Sequence, residues 1–284
     1  MRIQSFTATL LTSSLFVSAG AFAQDHQDDG HHQAHDQHHG DSHHASGEHH
    51  GPEPQDFLFL VSEAYHRSQG EFQTSFSFEN DDFDADGWQS VFRTEYGITD
   101  NIEFTAELPW KDTGHDTGFG DMKFALAVGL THESDDTPAI ALAFEAIAPT
   151  GDATHDLGHD VWGFGLGLHA SKHLGENVVF HAAIGQEELD NALVHGHHYD
   201  ITETYAGAGF VAEFSDGFSG SFEYLWESEE ESDSHGVHTA RQGRIALGAI
   251  FETDSGIEFG VSTLIGVSDH APDNGLRVKI QRSW

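Results

Sequence analysis

From about residue 71 onward, apolar and polar positions alternate with a period of two. Phe72, Thr74, Phe76 and Phe78 interleave with Glu71, Gln73, Ser75, Ser77 and Glu79. Ile102, Phe104, Ala106, Leu108 and Trp110 oppose Glu103, Thr105 and Glu107, and Phe218, Phe222, Tyr224 and Trp226 oppose Ser219, Ser221, Glu223 and Glu227. The same rhythm marks 88–98, 120–131, 138–148, 161–172, 176–187, 202–214, 240–252, 256–267 and 275–284. Alternation over this length predicts strands with one apolar and one polar face.

The connections sharpen this to an architecture. Short turns are expected at Thr99-Asp100, Ser134–Thr137, Leu174-Gly175, Ser215-Asp216 and Asp254-Ser255. Longer polar segments are expected at 80–87, 111–119, 149–160, 188–201, 228–239 and 268–274. Strict short-long alternation is the plan of an outer-membrane barrel, with tight periplasmic turns and longer external loops. The fold expected is all-β: a transmembrane, antiparallel, up-and-down β-barrel of about twelve strands over 71–284, preceded by a disordered tail.

Period two alone does not say which face is inside. A soluble sandwich or lipocalin-like barrel turns its apolar face inward. The membrane reading draws on Trp88, Tyr96, Trp110, Trp162 and Trp226 near strand ends, where an interfacial aromatic girdle belongs. Leu276, Val278, Ile280 and Trp284 also share one face of the last strand, like the terminal signal of outer-membrane barrels, although Arg282 interrupts the row.

An inward polar face makes the lumen acidic. The expected lumen-lining residues are Glu95, Glu103, Glu107, Asp121, Glu145 and Glu223, with Arg93, Lys123 and Arg244 among the few bases. Such a wall favours cations, unless its charges pair across a narrow barrel and fill it. The lead-in 57–70 is apolar around Phe57–Tyr65 and is expected in the lumen or at its periplasmic mouth.

Ahead of the barrel, residues 1–23 read as a signal peptide, with Arg2, an apolar stretch and Ala21-Phe22-Ala23 before Gln24. Export places the barrel in the bacterial outer membrane and the following tail in the periplasm. Residues 24–56 form a His/Asp-rich segment; 24–51 alone carry 10 His and 6 acids and too little apolar surface to fold. Neutral imidazole ligates Zn, Cu or Ni, and carboxylates can complete a shell. The candidate ligands are His31, His32, His35, His38, His39, His43, His44, His49 and His50, joined by His195, His197 and His198 in an expected loop. Of the 24 His, 19 fall in the tail and the expected long loops. A solvated low-complexity linker and solvated loops are the plain alternative.

Whole-chain composition then excludes function classes. With 11 Lys+Arg against 48 Asp+Glu, the formal net charge is −37, which disfavours nucleic-acid binding. The absence of Cys excludes disulfides and thiol chemistry. No HExxH, Walker A or dinucleotide fingerprint occurs, and Gly217-Phe218-Ser219-Gly220 lacks the spacing of a nucleophile elbow, so no enzyme and no required cofactor are expected.

Several segments carry a family resemblance. Tyr96-Gly97-Ile98-Thr99-Asp100-Asn101-Ile102-Glu103, Glu107-Leu108-Pro109-Trp110, Gly118-Phe119-Gly120-Asp121-Met122-Lys123 and Ala148-Pro149-Thr150-Gly151-Asp152 resemble the outer-membrane transporter family called MetA-pathway of phenol degradation. The resemblance implies a barrel that admits aromatic or other hydrophobic compounds; the His-rich tail and loops depart from that picture. The leading expectation is an outer-membrane channel or transporter for small solutes, linked to divalent transition metals through tail and loops. The alternatives are an uptake channel for aromatic compounds and a metal-sequestering surface protein anchored by its barrel. Expected partners are outer-membrane lipid, the barrel-assembly machinery, and small solutes or metal ions.

Overall fold

The computed structural model describes residues 57–80, 87–234 and 236–284. The expected signal peptide, the His/Asp-rich segment with its nine candidate ligands from His31 to His50, and the loop residue His235 lie outside the described residues. Thirteen strands follow one another: β1 (Phe72–Asn80), β2 (Trp88–Thr99), β3 (Ile102–Asp112), β4 (Thr117–Phe119), β5 (Met122–Thr131), β6 (Ala139–Ala148), β7 (Gly163–His173), β8 (Val178–Val194), β9 (His197–Ser215), β10 (Phe218–Asp233), β11 (Gly236–Glu252), β12 (Ile257–Gly266) and β13 (Asn274–Ser283). Among the described residues no helix is long and apolar enough to cross a membrane.

Every pairing is antiparallel between neighbours, and β1 pairs with β13, so the sheet closes on itself. β3 pairs with both β4 (Trp110↔Phe119) and β5 (Glu107↔Lys123), a one-residue shift in register. β4 and β5 are therefore one interrupted stave, and the closed barrel has twelve. Closure pairs every stave on both sides, with β4 alone of the described strands having only β3 beside it; paired edges are the condition for a strand to cross lipid.

The two faces are inverted relative to a soluble barrel. Phe164, Phe214 and Phe144 stand 64%, 67% and 50% exposed on the outer wall, whereas Glu223, Glu227 and Glu79 are 0–2% exposed inside. The lipocalin-like alternative would need the reverse. Aromatic pairs sit where the strands reach the membrane borders: Phe72 with Trp284, Phe78 with Trp88, and Trp110 edge-on to Phe119. Arg282, which interrupts the outward apolar row of β13, lies over the Trp284 ring at 5.3 Å. There its stem can lie along the wall while its charge reaches the interface.

Two expected loops are not loops. Residues 188–201, and 228–233 with 236–239, prolong the β8–β9 and β10–β11 hairpins, whose strands run to 16–19 residues. The first hairpin turns at His195-Gly196, both at positive φ (49° and 80°), the two-residue geometry that suits the twist of paired strands. Past the membrane border the outer face no longer needs apolar residues, so polar side chains continue the strands under a loop-like composition. Inside, Leu189, Ala192 and Ile201 still pack with Ile147.

The connection 149–162 folds back onto that hairpin. A single 3-10 turn, Ala153–His155, is capped by the Asp152 side chain accepting from the Thr154 backbone N–H. Asp121, at the break between β4 and β5, holds the connection down. Its carboxylate accepts from the Gly151 N–H (2.9 Å) and the His159 N–H (2.8 Å), and it contacts His159 Nδ1 at 2.9 Å. Asp121 thus serves as a loop latch rather than part of an open wall.

Candidate functional site: the lumen and its strap

Residues 57–70 run inside the barrel as an irregular strap. A segment without regular structure must find partners for its backbone, and here the wall supplies them. The N–H groups of Phe59, Leu60 and Val61 donate to the Glu223 carboxylate at 2.9, 2.6 and 2.9 Å. Ala64 N–H donates to Ser171 Oγ at 2.8 Å, and Arg67 N–H to Glu103 Oε2 at 2.8 Å. The side chains dock as well. Phe57, Leu58 and Phe59 pack on Val211, Ala246, Ile250 and Leu264. Gly260 and Gly248 make room for the two rings: a Cβ at either would overlap Phe57 or Phe59.

At its turn-end exit the strap is clasped by the connection between β5 and β6. Tyr65 Oη donates to Glu133 Oε2 at 2.5 Å, and His173 contacts the same carboxylate through its backbone N–H (2.7 Å) and Nδ1 (2.7 Å). Slight burial opposes ionisation of Glu133, but the hydrogen bonds from Tyr65 and His173 outweigh it and hold the carboxyl down to about 2.

Between strap and wall lies a cavity of about 250 Å³. Arg93, Glu95, Glu103, Glu107, Lys123 and Glu145, all expected in the lumen, line it. Glu223 lies under the strap, and Arg244 is buried in the wall, bound to Glu227 at 3.0 Å and Glu79 at 3.4 Å. The charges divide by sector. On the side of β1, β2 and β13 every base meets an acid or a ring. Arg93 binds Glu95 at 2.7 Å and Glu107 at 3.4 Å, Arg277 pairs with Glu79, and Lys279 Nζ stands 4.5 Å from the centre of the Phe57 ring. On the side of β6 to β10, acids face acids. Glu187 is the register partner of Glu203, and Glu203 of Glu229. Like charges directly opposite across strands destabilise a sheet. One base relieves them there: Lys123 Nζ lies 2.6 and 2.8 Å from the two Glu187 oxygens.

Glu203 and Tyr205 were not singled out from the sequence. Both lie on one face of the expected strand 202–214, and that shared parity is the signal the sequence offers.

The candidate loop ligands are not brought together. His195 Nδ1 contacts Asp156 Oδ2 at 3.0 Å, His198 Nδ1 contacts the Asn191 carbonyl at 3.1 Å, and the His197 ring lies against Tyr199. Among the described residues no group of three His, Asp or Glu side chains is placed to hold a metal ion. The exposed pair Asp152–His155 is in contact at 2.8 Å; its hydrogen bond and charge raise the His155 imidazole above its ordinary value.

A closed twelve-stave wall, apolar outside and charged within, defines an outer-membrane β-barrel. Residues 78–273 match the MetA-pathway of phenol degradation family, and the chain belongs to it. Among solved structures, the COG4313 outer membrane channel from Pseudomonas putida F1 is similar at 13% identity and a TM-score of 0.63, covering 80% of this chain and all of that one. The NanC porin is similar at 9% identity and a TM-score of 0.52, covering 74% of this chain and 98% of that one. No curated protein is recognisably similar in sequence.

Proposed function

We propose that the chain is an outer-membrane channel for small polar solutes, with an acid-dominated lumen that favours cations and a strap that limits the aperture. The carrying observation is the charge-lined cavity inside a barrel with an apolar outer wall. Water and ions are stabilised by such a lining, while a hydrophobic solute finds little there to bury against. That the similar solved proteins are described as a channel and a porin supports the reading. Passage of aromatic compounds, which the family description suggests, is the weaker alternative for the same reason. The test is single-channel recording of the full chain in planar bilayers under a KCl gradient. A cation-selective reversal potential is expected; absence of any conductance overturns the channel.

We further propose that the histidine-rich residues 24–56 bind Zn, Cu or Ni at the periplasmic side. The support is their composition, repeated His pairs among acids and amides. Calorimetry with Zn²⁺ on the full chain and on a deletion of 24–51 decides this. Equal affinities remove the segment's role, and metal binding without any conductance favours the barrel as an anchor.

A further inference from the structure

The strand β7 presents glycines to the lumen where its neighbours present long side chains. Over Gly165 lean Glu187 and Glu145: a Cβ there would lie 3.0 Å from Glu187 Cγ and 3.1 Å from Glu145 Cβ. Over Gly167 lean Tyr205 and His169: a Cβ there would lie 2.7 Å from Tyr205 Oη and 2.9 Å from His169 Nε2. These side chains line the same cavity, together with Glu203.

His169 is 7% exposed, and its Nε2 has no hydrogen-bond partner. Its Nδ1 lies 3.1 Å from the Glu63 carbonyl of the strap, which accepts only from an N–H. The neutral ring therefore carries its proton on Nδ1 and leaves Nε2 a free acceptor over Gly167, at the edge of the cavity. Glu145 and Glu187 are also in hydrogen-bonding contact with each other. Neighbouring carboxyls are stabilised by a shared proton or by a cation. Lys123 is the base set among Glu145, Glu187 and Glu203, and of the three it bonds Glu187 directly.

We propose that Glu145, Glu203, Tyr205 and His169, around the glycine floor of β7, form a binding site for the protonated amino group of a small organic cation. The acceptors suit an ammonium better than a metal. A metal ion draws its ligands to about 2.0–2.6 Å, and no three His, Asp or Glu side chains converge in that way among the described residues. An ammonium offers three N–H donors and holds acceptors at about 2.8 Å, spread around it. Lys123 on Glu187 is an internal instance of that pairing. Val61, Ala143 and Leu225 line the same cavity and give an alkyl body apolar contact.

The site names a solute class for the channel and rests on that reading, so the test separates the two. Calorimetry on the full, detergent-folded chain uses propylammonium and, as a cation without N–H donors, tetramethylammonium; bilayer recording uses the same two salts. Propylammonium is expected to bind and to reduce the K⁺ current, with tetramethylammonium ineffective. Glu145→Gln/Glu203→Gln and, separately, Tyr205→Phe are expected to weaken propylammonium binding about tenfold or more, the scale of one lost charge-assisted hydrogen bond. Heat-modifiable migration on a gel confirms that each variant is folded. Equal binding of both cations, or no propylammonium binding by a conducting protein, overturns the site and leaves the channel standing. Selective binding by a protein that never conducts overturns the channel and leaves the site standing.

Discussion

Glu223 and Glu203 sit on neighbouring strands, face the same lumen and meet opposite fates. Glu223 is wrapped by three consecutive backbone N–H groups, so its charge is spent on holding the strap. Glu203 stands between two other glutamates in register and faces the cavity. A carboxylate satisfied by backbone donors is part of the fold, whereas one facing like charge and water is open to a ligand. Counting acids in a lumen therefore says less about selectivity than asking which acids are already satisfied.

The comparison can be broken most forcefully at the strap. Glu223→Ala leaves three N–H groups without their acceptor and should weaken strap docking by about 3 kcal/mol or more. A several-fold rise in single-channel conductance is the expected readout, and unchanged conductance would show that the strap does not limit the aperture. Next in size, Gly260→Leu fills the space taken by Phe57 and should raise conductance in the same direction but less, because Glu223 still holds residues 59–61. Selectivity sharpens the other half of the contrast. Glu145→Gln/Glu203→Gln should move the reversal potential toward zero without enlarging the pore, while Glu223→Gln should leave it near wild type.

Smaller effects come from acidity at the barrel's ends. Glu133 is held at about 2, below its unfolded value, so its clasp is intact above the ordinary carboxylate range and is lost as pH falls through about 2. Strap release measured by conductance should therefore be flat from neutral pH down to about 5 and rise only in strong acid. Glu133→Gln should abolish that acid step. His155 shifts the other way. Its raised value makes the Asp152 contact fully present below the ordinary imidazole range and lost as pH rises through the folded value. Both side chains are exposed, so His155→Ala should leave thermal stability essentially unchanged and alter only the titration of that imidazole followed by NMR.

The staves were legible because lipid enforces period two: an outward Phe104 or Phe144 has to alternate with an inward Glu103 or Glu145. Where lipid ends, that constraint ends too, and the strand-forming residues of 188–201 and 228–239 carry the composition of loops. The strap's position was half legible. Phe57–Tyr65 is apolar enough to seek cover, but its partners lie far along the chain at Glu223, Gly248 and Gly260, and a glycine's purpose shows only once the ring above it is seen. Asp121 is the subtler case. Parity placed it inside, yet the break between β4 and β5 turns it toward Gly151 and His159.

The strap also constrains how the molecule is made. Its hydrogen bonds to Glu223 join positions 162–164 residues apart, although the strap directly precedes the first strand. Contacts so distant in sequence carry a loop-closure cost that local hairpins do not. The strap's docking at Glu223 therefore requires β10 to be in the wall. Without that wall, Phe57 and Phe59 would lose the cover that Val211, Ala246, Ile250 and Leu264 give them. Strap docking in that sense reports on the wall, since it is complete only where Glu223 is in place to receive it.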